Sequence, residues 1–249
     1  MIIASFNVRN YYLRKFRKRR LRSLEELKVL KDIMYKNDID VLCTQEITKS
    51  HKNMLMPLLS DYGFYGKYRC KVLRHFPFNE NNNIICNRKV ISTKTIRLPW
   101  IPRRFKDIKR GISGMCILPR IATVVITYDD NNIPICIINT HLSHRLDGVR
   151  NRQLESIKKL IREYMKEYPV FLTGDFNMPS TDKLFINFVK EVEDYNLVRV
   201  EINNPTWYSK NGTGKTIDHI FIPKGYKIKR SGIINTNKIS DHELIYVEI

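Results

Sequence analysis

The sequence has few cysteines, and their spacing suits neither a metal site nor a disulfide framework. Its 249 residues include five cysteines, all widely spaced, and no CxxC pair. This argues against a structural zinc site and against a disulfide-rich secreted fold. Cys43, Cys86 and Cys136 lie in apolar strand-like runs, where we expect them to pack as small buried side chains.

Long hydrophobic runs are also missing. No apolar run approaches the ~18 residues that a membrane span requires, so we expect no stable insertion into a membrane. The first ten residues, MIIASFNVRN, have no basic segment before their short apolar run and are not predicted to be a signal peptide. We therefore expect a cytoplasmic or otherwise intracellular, reduced protein.

Acidic residues are scarce relative to basic ones. Forty-four Lys and Arg oppose 25 Asp and Glu, which gives a formal net charge of +19. The excess is clustered in residues 14–22, 67–74 and 87–110, and the last block also contains Trp100 and Phe105. Clusters of this kind attract polyanions, either nucleic acid or an acidic membrane surface, and the interleaved aromatics favour nucleic acid. A solvated basic surface without a partner is the alternative.

Apolar strand-like runs alternate with helical patterns along the chain, which predicts one α/β domain over residues 1–249. Helices are predicted around Leu24–Met34, around Leu154–Met165, and after a cap at Ser180 or Thr181. The asparagine-rich residues 79–83 are predicted to form a turn. Strands are predicted at 2–6, 40–44, 83–86, 121–128, 133–139, 170–174, 217–222 and 243–249.

Polar side chains recur where the predicted strands end. One such residue would be an ordinary turn residue, but a set of them indicates a site, because strand ends of α/β proteins converge on one edge of a sheet. Asp218 lies inside an apolar strand, where an unpaired carboxylate is costly. The residues at the junctions are Asn7, Gln45, Glu46, Thr140, His141, Asp175, Asn177, Asp241 and His242.

The residue types at these junctions narrow the chemistry. Hard oxygen donors without a thiolate pair suit Mg²⁺, with Mn²⁺ as an alternative. Histidines beside carboxylates suit proton transfer or stabilisation of a transition state near neutral pH. Together with a cationic protein, they indicate phosphoryl chemistry in which water is the attacking group.

Seven stretches, taken in order, resemble the deoxyribonuclease-I-like endonuclease/exonuclease/phosphatase superfamily. The set of QE, NTHL, GDFN, IDHIF and SDH is specific, whereas GDFN alone is not. The resemblance implies a four-layered α/β/β/α sandwich of two packed mixed β-sheets, and metal-dependent hydrolysis of phosphodiesters or phosphomonoesters. The stretches are SFNVRN, LCTQEIT, NENNNIICNRK, INTHLSH, LTGDFNMPS, TIDHIFI and SDHELIYVEI.

The same resemblance implies roles for the metal and the attacking water. Glu46 would be the principal Mg²⁺ ligand, with Asn7 nearby and Asp241 completing the site. Asp175 would orient or deprotonate the water, and Asn177 would hold that water or a phosphate oxygen.

Roles for the phosphate-binding groups also follow from the resemblance. His242 would contact the scissile phosphate and be oriented by Asp218, while His141 would contact the phosphate from the other side. Short, loose matches make Glu80 the carboxylate that supports His141 and Arg120 a phosphate-binding arginine. Arg152, which opens the helix after His141, is a further candidate for substrate binding.

The expected function is a Mg²⁺-dependent phosphodiesterase, a nuclease. One alternative is a phosphatase of phosphoinositides or another small phosphate ester, because a fold does not choose between the two. The other is a non-catalytic nucleic-acid-binding module, against which the complete set of site residues argues. DNA or RNA, endonucleolytic or exonucleolytic cleavage, and oligomeric state are left open.

Overall fold

The structure of the protein is a computed structural model that describes residues 1–9, 16–70, 79–100 and 119–249, with the backbone alone over 16–23. The side chains of the basic block 14–22, and residues 71–74 and 101–110 of the other two blocks, lie outside the described residues. None of the helices in the described part of the chain combines the length and apolar composition needed to cross a bilayer.

The described residues contain helices α1 (Phe16–Lys36), α2 (Lys49–Leu55), α3 (Asp147–Tyr164) and α4 (Lys183–Glu193). The first strands are β1 (Ile2–Asn7), β2 (Val41–Gln45), β3 (Gly63–Tyr65), β4 (Ile84–Cys86), β5 (Val90–Arg97), β6 (Ile121–Tyr128) and β7 (Pro134–His141). They are followed by β8 (Val170–Asp175), β9 (Leu197–Arg199), β10 (Trp207–Tyr208), β11 (Gly214–Lys215), β12 (Asp218–Pro223), β13 (Arg230–Ile234) and β14 (Leu244–Glu248).

Two mixed sheets organise the described residues. The first has the order β13-β14-β1-β2-β4-β3 and the second the order β5-β6-β7-β8-β12-β9, while β10 and β11 form a separate ribbon. In each sheet one central pair is parallel, β1 with β2 and β7 with β8. The connections between these parallel strands contain α1 and α3, as parallel pairs require.

The sheets face each other and each carries helices on its outer side. Alternate residues of β1 explain this arrangement: Ile3 packs between the sheets, whereas Ala4 and Phe6 pack against Leu30 of α1. On the other side, α3 and α4 cover the second sheet with residues such as Ile157, Phe185 and Phe188. The four-layered α/β/β/α sandwich is therefore confirmed. The central strands are apolar throughout because both faces of each sheet are buried.

Two local predictions are wrong. Helix α4 is capped by Asp182, whose side chain accepts from Leu184 N at 2.8 Å, rather than by Ser180 or Thr181. Residues 79–83 do not form a surface turn but a buried segment in which Asn81 bridges to Ile47. Some of its side-chain amides are bonded internally, for example Asn82 Nδ2 to Ile121 O at 2.9 Å, so asparagines that are typical of a turn lie here inside the protein.

Candidate active site

Polar side chains from both sheets meet at one edge of the sandwich. The parallel strands β1 and β2 end at the register partners Asn7 and Gln45. The parallel strands β7 and β8 end at the partners His141 and Asp175, and the antiparallel β12 begins at Asp218 opposite Asp175. Asn7 Nδ2 donates to Asp175 Oδ2 at 3.0 Å and so joins the two sheets at this edge.

The approach to Asp175 depends on Gly174. This glycine has a φ of +145°, and a Cβ at its position would lie 2.0 Å from the carbonyl oxygen of Thr140. Any side chain would therefore push β8 away from β7. The glycine lets the strand deliver Asp175 directly beside the end of β7.

The Asp175 carboxylate occupies the centre of the candidate site. Its Oδ1 accepts from Asn177 N at 2.8 Å. Its Oδ2, which also accepts from Asn7, lies 3.4 Å from His141 Nε2 and 3.8 Å from His242 Nε2. Two histidine rings thus face one carboxylate oxygen.

Burial and charge set the proton affinity of Asp175. Burial, followed by the nearby Asp218 carboxylate, raises the pKa of Asp175 to about 7, although His242 acts in the opposite direction. A carboxyl group with a pKa near neutrality is suited to take a proton from water at physiological pH.

Asn177 is held by the loop after β8. Its φ of +53° is a left-handed conformation that asparagine tolerates better than most residues. Its Nδ2 donates to Leu142 O at 3.0 Å, and its own carbonyl oxygen accepts from Arg150 Nη1 at 3.0 Å. These contacts fix the loop against the end of β7 and the start of α3.

His242 and Asp218 form a buried pair. The ring Nδ1 lies 2.9 Å from Asp218 Oδ2 and 3.2 Å from Oδ1. Thr206 Oγ1 donates to the same Oδ2 at 2.7 Å and so fixes the carboxylate. Burial opposes a charge on the ring, but the Asp218 carboxylate outweighs it and raises the pKa of His242 to about 10.

His141 lies in a different environment, beside two arginines. Arg120 Nη1 is 3.0 Å and Arg69 Nη2 is 3.4 Å from the ring Nδ1. Arg69 also forms an ion pair with Glu80 at 2.5 Å. Burial, followed by the charges of the two arginines, lowers the pKa of His141 well below its ordinary value. Burial and the charge of Arg69 lower the pKa of Arg120 to about 10.

Glu46 lies beside Asn7, as the sequence predicts, since Asn7 Nδ2 donates to its Oε1 at 3.3 Å. It has a left-handed φ of +61°, so the backbone turns sharply at the end of β2. Asp241 is placed differently: its Oδ2 accepts from Trp207 Nε1 at 3.1 Å and pairs with Arg9 Nη1 at 2.8 Å.

Arg152 is turned toward its own helix. Its Nε donates to Gly148 O at 3.3 Å. Arg150, two residues earlier in α3, contacts the site loop through its Nη1.

The described residues fit a divalent cation at this edge. In the groups Glu46–Glu80–His141 and Asp175–Asp218–His242, one ligand atom from each residue lies within 4.8 Å of the others. The carboxylate oxygens of these groups are the hard donors that a divalent cation prefers, whereas the histidine rings are engaged with Asp218 or with the arginines. Asp241 belongs to neither of these groups of described residues.

Three residues of the site were not singled out from the sequence. Arg69 lies in a basic block that reads as surface, and Thr206 precedes the short strand β10, so neither carries a recognisable signal alone. Ser240 lies in the SDH stretch and could have been found there: its Oγ donates to Asn7 O at 2.8 Å and accepts from His242 N at 3.2 Å. It thereby ties His242 to the end of β1.

Solved structures with the same fold include enzymes of several kinds. The mannosyl-6-phosphatase Bt3783 of Bacteroides thetaiotaomicron VPI-5482 is 21% identical, with a TM-score of 0.79 over 100% of this chain and 98% of that chain. D. rerio TDP2, complexed with single-strand DNA product, is 16% identical, with a TM-score of 0.71 over 99% of this chain and 97% of that chain. The human Nocturnin catalytic domain with bound sulfate is 19% identical, with a TM-score of 0.70 over 99% of this chain and 92% of that chain.

A search of curated protein sequences gives no significant match. At identities this low, the structural similarities establish the fold. The sequence itself establishes the family, because the model of the Endonuclease/Exonuclease/phosphatase family matches residues 4–242. The chain therefore belongs to the endonuclease/exonuclease/phosphatase family, a family of hydrolases that act on phosphate esters.

Proposed function

We propose that the protein is a Mg²⁺-dependent nuclease that hydrolyses nucleic-acid phosphodiester bonds by attack of an activated water molecule on phosphorus. The position of Asp175 is the main support for hydrolysis by an activated water molecule. Its buried carboxylate lies 3.4 Å from His141 Nε2 and 3.8 Å from His242 Nε2, and its pKa is raised to about 7. A base of this proton affinity, between two groups that can bind phosphate, is what the reaction requires.

In this mechanism Asp175 orients the attacking water and takes its proton. Asn177, held by Leu142 and Arg150, holds that water or a phosphate oxygen. Positioning the water against phosphorus contributes to the rate because it replaces a bimolecular encounter by an oriented one.

His242 supplies positive charge to the phosphate. The Asp218 carboxylate at 2.9 Å keeps the ring protonated at neutral pH, and Thr206 keeps the carboxylate oriented. A fixed cation stabilises the negative charge that develops on the phosphate oxygens in the transition state. His141 contacts the phosphate from the opposite side.

Glu46 is the proposed principal ligand of the metal, with Asn7 nearby and Asp241 completing the set. The Asn7–Glu46 hydrogen bond of 3.3 Å supports the first two assignments. The ion pair of Asp241 with Arg9 would have to open for Asp241 to take part. When bound, the cation supplies Lewis-acid stabilisation of phosphate charge.

The choice of nucleic acid as the substrate is supported by charge. The net charge of +19 and the clustering of Lys and Arg in three blocks suit a polyanion. A small phosphate ester contacts only a few cationic groups, so three separate basic blocks favour a long polyanion as the substrate.

A phosphatase of phosphoinositides or another small phosphate ester is the second candidate. It is supported by the similarity to the mannosyl-6-phosphatase Bt3783, with its TM-score of 0.79. The arginines beside His141 support it as well, because paired guanidinium groups suit a dianionic phosphomonoester.

A substrate panel at fixed Mg²⁺ tests the proposal. It contains plasmid DNA, single-stranded DNA, RNA, an abasic duplex, a 5′-tyrosyl oligonucleotide, inositol phosphates and a hexose 6-phosphate, each with and without excess chelator. Metal-dependent cleavage of a nucleic acid that Asp175→Asn abolishes supports the nuclease. Release of phosphate from the small esters alone would establish the phosphatase, and binding of nucleic acid without hydrolysis would establish a binding module.

A further inference from the structure

We infer that Arg69 and Arg120 hold His141 in the neutral tautomer that carries its proton on Nε2, so that His141 meets the substrate phosphate as a hydrogen-bond donor. Arg69 and Arg120 are thus positioning residues for His141. The identity of the acceptor, a substrate phosphate, rests on the proposed function. The tautomer is a property of the protein alone.

The geometry around Nδ1 determines which ring nitrogen carries the proton. Arg120 Nη1 lies 3.0 Å and Arg69 Nη2 lies 3.4 Å from His141 Nδ1. A guanidinium group has five N–H donors and no acceptor. Nδ1 must therefore be the acceptor in both contacts and cannot carry a proton, which leaves the single ring proton on Nε2.

The arginines are themselves fixed. Arg69 is 6% exposed, and its guanidinium pairs with Glu80 at 2.5 Å. The backbone N–H of Arg69 also donates to Glu80 O at 3.1 Å, which holds the two segments together. Glu80 thus acts on His141 through Arg69. Two cations on one side of the ring also oppose a second proton, which keeps the ring neutral.

The proton on Nε2 points into the site. Nε2 lies 3.4 Å from Asp175 Oδ2, the same oxygen that lies 3.8 Å from His242 Nε2. The two histidines therefore differ in kind: His242 presents a cation fixed by Asp218, and His141 presents a neutral donor fixed by arginines. A carboxylate on Nδ1 would have selected the opposite tautomer, with a basic lone pair on Nε2.

Nitrogen NMR of protein labelled with ¹⁵N-histidine reads the tautomer directly and needs no substrate. The ring of His141 is identified among the six histidines by comparison with His141→Gln. We expect an unprotonated, pyridine-type Nδ1 and a protonated, pyrrole-type Nε2. His219 is an internal control for this pattern, because its Nε2 faces Met178 O at 3.1 Å and must donate there. A proton on Nδ1 of His141, alone or in a doubly protonated ring, would overturn the inference.

Variants test whether the arginines are the cause. Arg69→Lys and Arg120→Lys keep a cationic donor and should keep the Nε2–H pattern. The double variant Arg69→Met/Arg120→Met should show both tautomers of His141, and its kcat should fall about 10- to 100-fold, the usual cost of losing groups that orient a histidine. The His219 signals report whether the fold is intact. An unchanged tautomer in a folded double variant would contradict the positioning role.

The two proposals fail separately. If no phosphate ester is hydrolysed but the NMR pattern is as expected, the proposed function is wrong and the tautomer stands. If nucleic acid is cleaved while Nδ1 carries a proton, only the positioning role of Arg69 and Arg120 is wrong.

Discussion

The pair formed by Asp218 and His242 yields the most quantitative prediction. Asp218 is 1% exposed, and one of its oxygens accepts both from Thr206 at 2.7 Å and from the ring of His242 at 2.9 Å. These contacts raise the pKa of His242 to about 10, against the opposing effect of burial. At pH 7.5 the ring of the wild-type protein is therefore almost entirely charged.

Asp218→Asn removes the negative charge beside His242, while the ring of His242 remains buried. The Asp175 and Asp241 carboxylates remain nearby, so the pKa of His242 should fall from about 10 toward its ordinary value of about 6.5, at which about one ring in ten is charged at pH 7.5. This loss of charge costs about tenfold or more in rate, and loss of the ring's orientation adds to it. His242→Ala should cost on the order of 10² to 10⁴, the range for groups that transfer protons or stabilise charge.

Single-turnover rates on one substrate at fixed Mg²⁺ test this prediction. The double variant should be little slower than His242→Ala alone, because residues that act as a unit have non-additive effects. Asp32→Asn is a matched control on the outer helix α1, where the side chain is 71% exposed, and should leave the rate unchanged. If the losses from Asp218→Asn and His242→Ala multiply, the two residues act independently and the reasoning is refuted.

Further predictions concern metal, salt and acid stability. Glu46→Gln should abolish activity at ordinary Mg²⁺ concentrations without loss of fold, and undiminished wild-type activity in excess chelator would contradict the metal assignment. Binding of nucleic acid should weaken with salt at a log–log slope of about 0.7 to 0.9 per phosphate contact, and charge reversal within residues 14–22 or 97–110 should weaken it without changing the chemical step; a flat response would favour a small phosphate ester. Burial lowers the pKa of His219 to about 3 from 6.5, so the unfolded chain binds more protons between these values. Stability should fall as pH drops through this window, by about 1.4 kcal/mol per unit for this group. The free energy of unfolding, measured by urea titration at several pH values, should depend less steeply on pH in His219→Gln than in the wild type. An equal dependence on pH would contradict the assignment.

The central strands could be predicted from the sequence because they are buried on both faces and so appear as apolar runs. Strand β5 could not, since all its residues are exposed or half-buried and its sequence, VISTKTIR, has few apolar positions. Helix α2 was also missed, because seven residues are too few to show a helical period. His219 stacks on Phe185, with ring centroids 4.0 Å apart, because successive side chains of β12 point to opposite faces and His219 therefore points away from Asp218.

The candidate site was predictable to the extent that its residues end strands. Asn7, His141 and Asp175 were found in this way, and the structure brings them together. Arg69 was not predicted as a site residue, because it lies in a basic segment whose composition is typical of an exposed surface. The family resemblance assigns Glu80 to the support of His141, but no sequence signal shows that Glu80 pairs with Arg69, which lies between them.

The rate of Asp175→Asn relative to wild type on a cleavable nucleic acid tests most directly whether hydrolysis is centred on this carboxylate. The substitution keeps the size of the side chain and removes its capacity to take a proton from water. We predict a loss on the order of 10² to 10⁴ in the single-turnover rate at fixed Mg²⁺, with unchanged binding of the substrate. A variant that cleaves at the wild-type rate, or a wild-type protein that cleaves no nucleic acid in the presence of Mg²⁺, would contradict the proposed mechanism.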